Sequence, residues 1–147
     1  MHRVQRAAIG IMATAALGAA WAAHSQDAKP LPVFTAAQAE HGSDLYKANC
    51  AQCHGDNLND GGFAPPLKGD RFRTQWKGKS SGDLYSFIDT NMPPGQTGVL
   101  SADDYAALEA FILHENGEAA GDKPLPGDAS ALTMPLWQAA GSAKAPG

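Results

Sequence analysis

The sequence predicts an all-α domain of short helices, and three observations lead there. Apolar residues recur at helical spacing in three separate stretches, and a Ser or Thr able to cap a helix opens each one. Between the stretches, Gly and Pro are too dense for long strands. Large core-filling side chains are also scarce: hydrophobic residues make up 44% of the 147 but aromatic ones only 7%, which is the composition of a small domain that borrows stability from a metal, a disulfide or a cofactor.

Each segment follows from its residues. At the start, Arg3 and Arg6 precede an uncharged run from Ala7 to Ala23, and small residues at Ala20 and Ala22 offer a cleavage site. Residues 1–22 therefore read as a secretory signal peptide. The competing reading is a membrane anchor, but the run is Ala-rich and shorter than the roughly 20 residues a span needs. The expectation is a soluble exported protein, in the periplasm of a bacterium, with no stable membrane span after cleavage. Residues 23–33 are a polar, Pro-containing leader.

The domain is expected over 34–117. Thr35 caps a first helix whose Ala39, Gly42, Tyr46 and Cys50 share a face. From Gly55 to Gly69 the density of Gly and Pro implies a wrapped loop. Ser81 is placed to cap a short helix to about Thr90, with Leu84, Phe87 and Ile88 on one side, ending before Met92-Pro93-Pro94-Gly95. Ser101 caps the last helix, favoured by Asp103 and Asp104 at its positive end, and the helix runs to about His114 with Tyr105, Leu108, Phe111 and Ile112 as its apolar stripe. Residues 118–147 hold Ala, Pro and Gly with few bulky groups and read as a tail.

Charge excludes one class of function. Loss of Arg3 and Arg6 with the signal leaves nine basic residues against fifteen acidic ones. A net charge near −6 lacks the dominant basic field that nucleic-acid binding requires. Five of the nine bases, Lys68, Arg71, Arg73, Lys77 and Lys79, crowd one short segment. That segment is either a solvated loop, a neutraliser of buried acids or a dock for an acidic partner.

The chemistry is concentrated in Cys50-Ala51-Gln52-Cys53-His54, which contains both cysteines of the chain. C-x-x-C-H is the attachment motif of c-type haem. Residues three apart on a helical turn share a face, so both sulfurs reach the two vinyl groups of one porphyrin while His54 meets the iron. A thioredoxin-like pair would want a strand before the motif, whereas a helix leads in here. Zinc would want further Cys or well-spaced His ligands. Export agrees with c-type maturation outside the cytoplasm.

Over roughly Thr35 to Gly117 the sequence resembles the class I cytochrome c family. Gly42, Tyr46 and Cys50 match its Gly-x-x-x-aromatic-x-x-x-Cys helix, and Leu108 and Phe111 match the Leu-x-x-aromatic pair of its last helix. The resemblance implies the cytochrome c fold, three to five short helices wrapped around one covalently bound haem c, with the first and last helices crossing at a glycine. Ala64-Pro65-Pro66-Leu67 looks like the family's Pro-x-Leu loop, in which the Pro65 carbonyl accepts the ring N–H of His54; read alone, the pair is a turn former. Met92 resembles the family's sixth ligand, giving Cys50 and Cys53 as covalent attachments and His54 with Met92 as axial ligands. Met134 and the imidazoles of His41 and His114 are the weaker alternatives.

Within the class, the Pro-Pro-Leu loop, Phe72, Trp76, the Met92-Pro93-Pro94 turn and the Phe111-Ile112-Leu113 helix resemble cytochromes that serve quinoprotein (PQQ-dependent) alcohol dehydrogenases. Trp76 either donates its indole N–H to a haem propionate or packs. Arg71 and Arg73 either neutralise propionates or are solvated. With both axial sites filled, iron has no open site for substrate, so the expected role is outer-sphere electron transfer and not an enzyme's bond chemistry. The donor is expected to be a dehydrogenase and the acceptor an oxidase or another cytochrome. The rim is expected from Ala51, Gln52, Phe63, Ala64, Pro93 and Pro94. Two alternatives stand beside this role: a haem subunit of a dehydrogenase complex, and a haem enzyme or gas-binding protein with a displaceable sixth ligand.

Overall fold

The computed structural model describes residues 34–137, so the signal peptide at 1–22, the leader at 23–33 and the end of the tail at 138–147 lie outside the described residues. Five helices and one 3-10 turn follow in order: α1 (Ala36–Asn49), α2 (Ala51–His54), α3 (Asp70–Trp76), α4 (Ser81–Asn91), α5 (Ala102–Glu115) and the turn Ala129–Ala131. Among the described residues there is no strand, only an isolated bridge between Ser80 and Pro135. No helix there is long and apolar enough to cross a membrane.

The first and last helices form the frame. Thr35 caps α1 by accepting from the Gln38 N–H at 3.1 Å, and Ser101 caps α5 by accepting from Asp104. The two helices cross where Gly42 meets Ala107. A Cβ on Gly42 would lie 1.9 Å from the Ala107 carbonyl oxygen, so only a glycine permits this approach. One turn on, the rings of Tyr46 and Phe111 pack at a 48° tilt with centroids 5.3 Å apart. The crossing expected from Gly42, Tyr46, Leu108 and Phe111 is thus present.

Two details differ from the sequence expectation. Ser80, not Ser81, caps α4, in a reciprocal box in which Asp83 N–H donates to the Ser80 hydroxyl and the Asp83 carboxylate accepts from the Ser80 N–H. Ser81 instead turns inward and donates to Glu109 at 2.5 Å. The loop from Gly55 to Gly69 carries no regular element, but a helix that the sequence does not announce follows it: α3 has no capping side chain and is held by burying Phe72 and Trp76, one turn apart, so its cause is tertiary.

The segment from Glu118, which reads as a tail outside the domain, is part of it as far as Trp137. It runs back over the helices as a strap. Leu125 exchanges two hydrogen bonds with the Gln38 side chain, at 2.8 and 2.9 Å. Carbonyls of Leu132, Met134 and Leu136 then accept from the backbone N–H groups of Gly82, Ser81 and Gly78. Leu125, Leu132 and Leu136 are buried, each contributing about 2 kcal/mol by area. Spacing hid this: the buried leucines stand apart among Pro, Gly and Ala with neither a helical nor a strand period.

Glu109 lies under the strap with no exposure. One carboxylate oxygen accepts from Ser81 and the other has no partner. Burial pushes its carboxyl up to about 8, opposed only by the Ser81 bond, so it is neutral at pH 7.

Candidate haem-binding site

A cavity of about 250 Å³ opens between the helices, and its lining includes Cys50, Cys53, His54 and Met92 together. The attachment segment reaches it because α1 ends at Asn49, the chain bends at Cys50, and the single turn α2 carries Cys53 and His54. The Gly55 carbonyl after that turn accepts from the Tyr46 hydroxyl at 2.5 Å, which ties the turn to α1. Met92 comes from the other side, at the end of α4, where its N–H donates to Ile88 and its carbonyl accepts from Tyr105 at 3.2 Å.

His54 is 7% exposed. Its Nδ1 lies 2.8 Å from the Pro65 carbonyl oxygen, which fits the tautomer with the proton on Nδ1 and leaves Nε2 as the nitrogen without a protein partner among the described residues. Pro65, Leu67 and Trp76 line the cavity as expected. Arg71 and Arg73 do not: Arg71 is exposed, and Arg73 pairs with Asp70 at 2.5 Å. Of the expected rim, Phe63, Ala64, Pro93 and Pro94 line the cavity, whereas Ala51 and Gln52 stand beside the attachment turn without lining it. His41 pairs with Asp104 on the far crossing, His114 meets Phe34 edge-on, and Met134 sits in the strap, so none of the three alternative ligands reaches the cavity.

Several lining residues carried no sequence signal for this role. Leu84, Phe87 and Ile88 read as ordinary helix stripes, and Tyr46 as part of the helix crossing. Asn116 is the clearest omission. Buried at the end of α5, it donates to the Leu67 and Ile112 carbonyls, both at 2.9 Å, and accepts from the Gly69 N–H at 3.1 Å, so it clamps the loop that carries Pro65. Partners 47 and 49 residues away leave no local pattern.

The residues present fit a c-type haem. The walls are largely apolar, the partnerless imidazole nitrogen and a thioether sit on the same lining, and both thiols border it. Burial and the neighbouring Cys53 push the Cys50 thiol up to about 11. An inert thiol of this kind is unlike the activated nucleophile of a thioredoxin-type pair.

Comparison with known proteins gives the family. A family model described as cytochrome c oxidase, cbb3-type, subunit III matches residues 37–112. Among curated proteins no match is found. Among solved structures, the sulfane dehydrogenase SoxCD from Paracoccus pantotrophus is similar at 28% identity, with a TM-score of 0.46, over 66% of this chain and 53% of that one. The match therefore takes in about half of that chain's own length. With the family model spanning just over half of its residues, and the helical frame and cavity as described, the chain belongs to this family of class I c-type cytochromes.

Proposed function

We propose that the protein is a periplasmic one-electron carrier that holds a single haem c, attached through Cys50 and Cys53 and ligated by His54 and Met92. The observation that supports it best is the sharing of one apolar cavity by these four residues. A bound haem c supplies reversible one-electron chemistry. The chain does the rest. The Pro65 carbonyl holds the His54 proton on Nδ1, which orients the ring and raises its basicity toward iron. Met92 offers a soft sulfur that favours the ferrous ion, and the apolar lining works in the same direction, so the potential is raised. Phe63, 89% exposed at the mouth, marks where electrons enter and leave.

The donor in this reading is a dehydrogenase, of which a quinoprotein alcohol dehydrogenase is the finer assignment, and the acceptor is an oxidase or another cytochrome. A redox titration of the exported protein tests it. A single reversible one-electron wave, unchanged under carbon monoxide at neutral pH, is expected. Tight carbon monoxide binding to the reduced protein would instead favour a gas-binding protein or enzyme. The family description names an oxidase subunit, which supports a second reading as a subunit of a larger complex. Co-purification of an oxidase or dehydrogenase at high salt would favour it, since transient redox contacts are small and salt-sensitive.

A further inference from the structure

Charge is distributed very unevenly over this molecule. Among the described residues, the stretch 68–79 holds five of the seven bases and a single acid, Asp70. Everything else described holds two bases, Lys47 and Lys123, against thirteen acids. Within the basic stretch, Lys68 pairs with Glu115 and Arg73 with Asp70, but Arg71, Lys77 and Lys79 are exposed and have no carboxylate partner among the described residues. A solvated loop has no need to segregate charge in this way.

The position of these three cations gives the segregation a use. Gln75 and Trp76 of α3 line the cavity. Arg71 precedes Gln75 by one helical turn and shares its flank. Lys79 lies over the Trp76 ring, 4.9 Å from its centroid, and Trp76 in turn packs edge-on against the half-exposed Phe87, another lining residue. Arg71 and Lys79 therefore border the same mouth that exposes Phe63 and Phe87, with Lys77 between them along the chain.

We propose that the redox partner docks across this mouth against the α3 flank, with Arg71, Lys77 and Lys79 meeting an acidic rim on the partner. The inference rests on the electron-carrier reading and adds the partner's chemistry to it. Local field, not net charge, then steers the encounter: a protein that is acidic overall attracts an acidic partner at the one face where electrons pass.

Stopped-flow oxidation of the reduced holoprotein tests this with two complexes of opposite charge, hexacyanoferrate(III) and tris(1,10-phenanthroline)cobalt(III). The hexacyanoferrate rate is expected to fall as salt rises, and the variant Arg71→Glu/Lys77→Glu/Lys79→Glu to be slower by about tenfold at low salt. Lys123→Glu, on the strap, should change it less than twofold. Poly-L-glutamate, standing for an acidic docking face, should slow the wild type and leave the triple variant unaffected. Because the haem spectrum reports folding, Lys77→Gln/Lys79→Gln serves if the triple variant fails to mature. A hexacyanoferrate rate that rises with salt, as the net charge alone dictates, overturns the proposal. So does binding to phosphatidylglycerol vesicles that poly-L-glutamate does not compete, which would assign the ridge to a lipid surface. Exchange with neither complex at any salt overturns the electron-carrier reading itself, and the docking face with it.

Discussion

The two sides of the cavity are secured by different means. On the attachment side, His54 sits in a turn tied to α1 by Tyr46, its ring is held by Pro65, and the Pro65 loop is pinned by Leu58 and by two bonds of Asn116. On the ligand side, Met92 is the C-cap residue just beyond α4, with one side-chain bond from Tyr105, and the chain from Pro94 to Val99 beyond it is exposed. One imidazole is thus preorganised by several independent elements, whereas the thioether depends on few. Strain, mutation or pH should release the ligand side first.

Breaking the stronger side should have the largest effect. His54→Ala is expected to abolish stable holoprotein, read as haem-stained protein in the exported fraction. Met92→Ala should leave the pigment attached while opening the sixth site, with carbon monoxide binding gained and a drop in potential on the order of 0.1 V. Asn116→Ala sharpens the contrast from the attachment side. Loss of its bonds should lower stability by about 2 kcal/mol in urea melts with little change in potential.

Tyr105→Phe tests the ligand side more gently. Removal of its bond to the Met92 carbonyl should cost about 1 kcal/mol and appear mainly as faster exchange of Met92 for an added ligand such as imidazole. Glu109→Gln touches neither side and serves as the control, with no effect expected on the spectrum. Its carboxyl is raised in the folded state from 4.5 to about 8, so the stabilisation from the neutral form is complete below about pH 4.5 and is lost as pH rises toward 8. The variant should flatten that fall in urea melts between those limits.

The attachment side was legible in the sequence and the ligand side partly so, for physical reasons. Cys50, Cys53 and His54 act within one turn, so their spacing alone carries the chemistry, and Gly42 announces the helix crossing because no other residue fits there. Met92 required a family resemblance, since nothing local distinguishes a ligand thioether from a core one. Helix α3, the Asn116 clamp and the strap were not legible, because each depends on partners far along the chain. Charge alone leaves Arg71 and Arg73 open between a propionate contact and solvent, and the helix keeps both out of the cavity lining because Phe72 and Trp76 take the inward face.

A porphyrin bonded to two sulfurs of this chain underlies every role proposed for it. Intact-mass measurement of the denatured, exported protein tests that directly. One haem should add to the polypeptide mass and survive acidified organic solvent, and it should be lost in Cys50→Ala/Cys53→Ala. A wild-type mass equal to that of the bare chain, with no pigment retained, would contradict it.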